Sequence, residues 1–127
     1  MNKSEAKFQT KFNKWVREVY KKTAAYELKH TRGKSSFPFR ELKEHQIRAL
    51  QIVRRGVLAY KIPDDSFSFK PFDCFVLAGE RAYVVIKYPK FFCLIDIETF
   101  VLEKERSKRA SLTASRASEL STLTVEP

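Results

Sequence analysis

Glu27 and Lys29 stand two residues apart in Ala24-Ala25-Tyr26-Glu27-Leu28-Lys29-His30, a run whose composition reads as a β-strand. Side chains alternate faces along a strand, so both project the same way, roughly 6–7 Å apart along the chain. A carboxylate beside an ammonium on one face is suited to phosphodiester chemistry. The carboxylate offers hard oxygen atoms to a divalent cation. The ammonium can orient an attacking water and offset the negative charge that builds in the transition state. The spacing alone decides little: Glu41-Leu42-Lys43 repeats it, and a solvated charge pair is the ordinary outcome of such a pattern.

The rest of the chain supplies a partner for that chemistry. Twenty-five Lys and Arg stand against fifteen Asp and Glu, a net charge of +10. Ten of the basic residues, against three Glu, lie within residues 1–34, and five against one lie within 104–116. Such a bias favours a polyanion, with nucleic acid as the default, over mere solubility. The apolar fraction of 43% and eleven Phe describe a folded, aromatic-rich domain. Cys74 and Cys93 each sit in an apolar run, with no Cys-x-x-Cys or Cys/His cluster. A structural zinc site is therefore not expected, and both read as buried free thiols of a reducing compartment. No apolar leader or run long enough to span a membrane is visible. The expectation is an intracellular, cytoplasmic protein. No phosphate-binding Gly loop, dinucleotide fingerprint or Ser-His-Asp order supports an NTPase, dehydrogenase or serine hydrolase.

The elements that must position Glu27 and Lys29 follow from periodicity. Phe8, Phe12, Trp15, Val16 and Val19 make one stripe of a helix from about Glu5 to Tyr20. Its other face carries Lys7, Lys11, Lys14 and Lys21, available to phosphates or simply solvated. Residues 31–38 read as a polar loop in which Gly33 supplies positive φ. A second helix is expected from about Phe39 to Arg55, with Leu42, Ala49, Leu50 and Val53 as its stripe and Gly56 as its stop. Val57 to Ile62, Pro71 to Leu77, Ala82 to Tyr88 and Phe91 to Ile95 read as strands. Ala78-Gly79-Glu80-Arg81 signals a hairpin between the second and third of them. Asp96 caps a helix to about Arg106, a short terminal helix is expected over Ser111 to Leu120 with Thr113 as its cap, and Ser121 to Pro127 reads as a frayed tail after a single domain over 1–120. The order predicts an α/β domain, a mixed sheet flanked by helices.

Two longer blocks carry a resemblance. Glu27-Leu28-Lys29-His30-Thr31-Arg32-Gly33-Lys34-Ser35-Ser36-Phe37-Pro38-Phe39, with Lys43-Glu44-His45-Gln46-Ile47, resembles the RecU-type Holliday-junction resolvases of the PD-(D/E)xK nuclease superfamily over residues 24–56. The stretch from Tyr60 through Lys70-Pro71-Phe72-Asp73-Cys74-Phe75 is similar to small phage resolvase-like proteins of that group. The resemblance implies a restriction-endonuclease-like fold and Mg²⁺- or Mn²⁺-dependent cleavage of branched DNA by a homodimer, without a small-molecule cofactor or a membrane partner. It makes Glu27 a metal ligand and Lys29 the catalytic lysine, and it puts Gln46 near the site.

The family also expects an Asp on the strand before Glu-x-Lys, and none lies upstream of Glu27; Glu5 and Glu18 both fall in the first helix. One carboxylate holds Mg²⁺ poorly, because hard oxygen ligands must replace tightly held waters. Asp73 is the candidate second ligand, which requires the core elements to be rearranged in order. Its alternatives are a turn cap or a pair with Lys87 or Arg81. Asp64 and Asp65 fit turn chemistry better. His30, Arg32 and Lys34 beside the site, Lys14 on the first helix, and Arg106, Lys108 and Arg109 further on are the candidate DNA contacts, reading shape and phosphate positions rather than sequence. His45 can orient a ligand or water, and both histidines have an ordinary structural reading. The competing function is a non-catalytic DNA-binding protein on the same fold. A third is a basic packaging protein in which Glu-Leu-Lys is chance.

Overall fold

The computed structural model describes residues 3–61 and 74–126, with side-chain surroundings for residues 5–56 and 79–126. Asp64, Asp65 and Asp73 lie outside the described residues, as does the side chain of Cys74.

The centre is a four-stranded mixed sheet in the order β1-β5-β6-β8. β1 (Ala24–His30) runs parallel to β5 (Arg81–Lys87), with Glu27 opposite Val84 and Lys29 opposite Ile86. β6 (Phe92–Asp96) is antiparallel to β5, and β8 (Leu123–Val125) antiparallel to β6. Two short ribbons stand beside it: β2 (Ser36–Pro38) with β7 (Ser111–Thr113), and β3 (Val57–Lys61) with β4 (Cys74–Ala78).

β5 is buried on both faces from Ala82 to Ile86, as a covered central strand must be. Its alternation divides the core in two. Ala82, Val84 and Ile86, with Cys93 and Ile95 of β6, face α2 (Glu44–Arg55), α3 (Ile97–Arg106) and α4 (Ala114–Leu120). Tyr83, Val85, Phe92 and Leu94 face α1 (Lys3–Trp15) through Phe8 and Phe12. Each fully buried side chain of this size contributes about 1.5–3 kcal/mol of transfer free energy. Burial drives the Cys93 thiol pKa up to about 12, leaving it a neutral free thiol. No helix of the described residues is long and apolar enough to cross a membrane.

Several boundaries differ from expectation. The first helix does not run regularly to Tyr20. After Trp15 it widens into a π-helical turn, Val16–Tyr20, which Lys21 closes at φ 55 with its N–H on the Val16 carbonyl. The wider turn breaks the 3.6-residue stripe, and Val19 is left 67% exposed. The second helix begins at Glu44 rather than Phe39. Phe39–Glu41 is one 3₁₀ turn, and extended backbone at Leu42 and Lys43 separates it from α2. Leu42 is therefore buried from a connector, Ile47 replaces Ala49 in the apolar stripe, and Ala49 is exposed.

The loop 31–38 contains β2, although Gly33 does take positive φ (84°). The hairpin across Gly79 does not form. β5 already has β1 and β6 as neighbours, so β4 pairs with β3 instead. Gly79 (φ 62°) redirects the chain, and the following Glu80 N–H donates to the Val53 carbonyl. The tail is not frayed through its length. Thr122 N–H donates to Leu94 O at 2.8 Å, and Leu123–Val125 completes the sheet. Asp96 and Thr113 cap α3 and α4 as their positions predict, accepting from Glu98 N–H and Arg116 N–H, but the last helix begins at Ala114 because Ser111–Thr113 pairs with β2 as strand β7.

Candidate active site

β1 is an edge strand of its sheet, and its alternation sorts the site residues. Ala25 packs with the α2 side of the core, whereas Ala24, Tyr26 and Leu28 pack with the α1 side. Glu27 and Lys29 share the face of Ala25 and point toward α2. The start of α2 meets them there. Gln46 Nε2 donates to Glu27 Oε1 at 2.9 Å, and Lys29 Nζ lies 3.9 Å from the same oxygen. The Glu27 and Lys29 side chains are 33% and 19% exposed, open enough to be reached and too covered to be freely solvated.

Gln46 is held in turn by its own helix. Its Oε1 accepts the Lys43 N–H at 2.9 Å, the reciprocal half of a capping box. The lysine side chain at the N-cap has no acceptor with which to complete the other half. The three residues that the resemblance assigned to the site therefore converge.

Lys29 also lines a cleft of about 370 Å³ with Glu5, Phe8, Gln9, Leu28, His30, Arg32, Glu41 and Lys43. Residues of both β1 faces reach it because the strand is at an edge. Glu5 enters from the first turn of α1, one turn before buried Phe8, with its carboxylate 3.6 Å from the Arg32 guanidinium. Sequence reasoning placed Glu5 in the first helix without giving it a role. The available signal was its position three residues before Phe8, which brings it to the rim of the packed face.

His30 points to the α1 side, its ring 6.2 Å from that of Phe8. Its Nδ1 accepts the Arg32 N–H at 2.7 Å, so the neutral ring carries its proton on Nε2. Burial, with Lys87 and Arg32 adding positive charge against the opposing effect of Glu5, holds its pKa below the ordinary 6.5. Lys34 is exposed beyond the Arg32-Gly33 turn, and Lys14 is exposed on α1. The candidate contacts at the far end do not line this cleft. Lys108 and Arg109 line a separate depression with Arg116, Glu103 and Glu119, and Arg106 sits at the end of α3. His45 is exposed on α2. Asp96 serves as helix cap and accepts from Arg54 Nε at 2.9 Å.

For a divalent cation, Glu27 offers the right donor chemistry, a partly exposed carboxylate. Among the described residues no group of three or more His, Cys, Asp and Glu side chains is close enough to hold a metal ion. A ligand set built on Glu27 thus needs a further carboxylate, and Asp73, the candidate, lies outside the described residues. No protein-family model matches this sequence, and no curated protein is significantly similar to it.

Proposed function

We propose that this chain is a structure-specific DNA endonuclease of restriction-endonuclease-like fold, acting as a homodimer on branched DNA such as a four-way junction. The observation that carries the reading is the convergence of Glu27, Lys29 and Gln46 on one carboxylate oxygen at the margin of a cleft. In this reading Glu27 and Asp73 hold Mg²⁺ or Mn²⁺, which supplies Lewis-acid activation of water and phosphate. Lys29 sits by the scissile phosphate and stabilises its added negative charge. Gln46 fixes the orientation of the Glu27 carboxylate. The +10 net charge draws the polyanion in, with Arg32 and Lys34 beside the cleft and Lys14, Arg106, Lys108 and Arg109 as outlying phosphate contacts. A two-fold homodimer would match the paired cuts that resolve a junction.

A second reading has its own observation. Glu27 Oε1 is already engaged by Gln46 and Lys29, as in a structural polar cluster, which favours a DNA-binding protein that does not cleave. One experiment separates the two. A labelled four-way junction and a matching duplex are incubated with and without Mg²⁺ or Mn²⁺. The nuclease reading expects metal-dependent cleavage of the junction, lost in both Glu27→Ala and Lys29→Ala while junction binding persists. Salt-sensitive binding with no cleavage in either metal selects the second reading. Cleavage undiminished in both variants rejects the site.

A further inference from the structure

A second cavity of about 530 Å³ adjoins the cleft, on the α1 side of the sheet. Lys7, Lys11 and Trp15, spaced four apart, form one ridge of α1 and wall it together with Phe8. His30, Lys87, Phe92 and Glu126 close the other side. Its character is unlike that of a core gap. Phe8 and Phe92 are buried, Trp15 is partly exposed with the Tyr20 ring stacked on it at 5.1 Å, and the Trp15 and Phe92 rings meet edge to face at 5.2 Å.

Around this aromatic wall stand three lysines and a histidine against one carboxylate. Lys87 is fixed in place, its Nζ donating to the carbonyls of Tyr88 and Pro89, which leaves one ammonium proton for a ligand. Burial, and then the charge of Lys11, lower the Lys87 pKa. The cavity shares Phe8 and His30 with the cleft that Lys29 lines, so one extended ligand can occupy both.

Flat π-surface next to clustered ammonium groups is the chemistry that recognises a nucleotide: a base stacks while its phosphate pairs with lysine. We propose that this cavity binds one unpaired nucleotide of a DNA strand whose neighbouring phosphate lies in the Lys29 cleft, with the base against Trp15 and Phe92 and the phosphate toward Lys7, Lys11 and Lys87. The proposal rests on the DNA reading above for its partner and is independent of cleavage. It gives branched DNA with an unpaired nucleotide at the branch an advantage over continuous duplex.

Trp15 is the only tryptophan and reports directly on the cavity. The test titrates the protein in EDTA with an octamer of thymidylate and with an abasic octamer of equal charge, following Trp15 fluorescence and the anisotropy of end-labelled DNA. The thymidylate octamer is expected to quench Trp15 saturably and to bind about tenfold tighter than the abasic one. Lys7→Gln combined with Lys11→Gln, both on exposed positions, is expected to flatten the log–log salt dependence of binding by about 1.4. Lys104→Gln on α3 leaves that slope unchanged. Equal affinity for the two octamers overturns the proposal, as does a double variant with the salt slope of Lys104→Gln. Either result leaves metal-dependent junction cleavage, scored separately, standing or falling by itself.

Discussion

Gln46 ties two elements with a single amide: its Nε2 holds the Glu27 carboxylate at 2.9 Å while its Oε1 holds the Lys43 N–H at 2.9 Å. The start of α2 and the face of β1 are thereby fixed relative to each other. Gln46→Leu removes both bonds, and Gln46→Glu keeps the acceptor for Lys43 but sets a second carboxylate against Glu27. Gln46→Leu is expected to lose about 1 kcal/mol in denaturant unfolding, the usual cost of a lost cap. Gln46→Glu is expected to keep most of the cap. Under the nuclease reading proposed above, both are expected to reduce junction cleavage at least about tenfold, the lower range for a residue supporting a metal ligand. Full activity in both variants would falsify the positioning role.

Phe12 is 2% exposed and packs against Tyr26 of β1, Phe92 of β6 and Trp15. It is the side chain that seats α1 on the sheet. Phe12→Ala leaves a cavity there and is expected to cost about 3–5 kcal/mol, measurable by urea unfolding. Because Glu5 and Lys11 ride on the same helix, amide exchange along α1 should rise in step with the loss.

His30 gives the fold a pH dependence of defined sign. Its folded pKa lies below the ordinary 6.5 of the unfolded chain, so between those two values the unfolded chain binds more protons. The His30 contribution is complete above about pH 6.5 and diminishes as pH falls toward the folded pKa, where protonation also ends acceptance of the Arg32 N–H. His30→Asn should flatten the fall in Tm below pH 6.5. An NMR titration that places the His30 midpoint above 6.5 would reverse the argument.

Ending the chain after Leu120 removes β8 and strips the outer edge from β6. The unpaired edge next to Cys93 and Leu94 is a template for pairing with other chains. The shortened protein is expected to unfold at lower temperature and to form larger assemblies than the full chain in size-exclusion chromatography with light scattering. Unchanged assembly size and unchanged Tm would mean that the strand contributes nothing.

The parts of the fold legible in the sequence were those governed by local rules. The strand Ala24–His30, the caps Asp96 and Thr113, the positive φ at Gly33 and the burial of Phe8 and Phe12 each depend on a few neighbouring residues. The parts that were not legible depend on distant partners. Nothing near Gly79 reveals that β5 will take β1 as its parallel neighbour and leave β4 to β3. Nor do Leu123 and Val125 disclose that the edge of β6 is vacant for them. The site divides in the same way. Glu27 and Lys29 share a face by strand geometry, and Gln46 joins them across the space between strand and helix. The aromatic cavity comes into view only once α1 has docked.

The parallel pairing of residues 24–30 with residues 81–87 sets an order in time. During synthesis Glu27, Lys29 and Gln46 leave the ribosome long before Val84 and Ile86, the residues against which their strand is laid. Closing that loop costs entropy that no earlier contact in the sheet offsets. A nascent or prematurely released chain therefore carries every residue of the cluster without the arrangement. The Glu27–Lys29–Gln46 arrangement therefore forms only after residues 81–87 have been made, and a chain released before them lacks it.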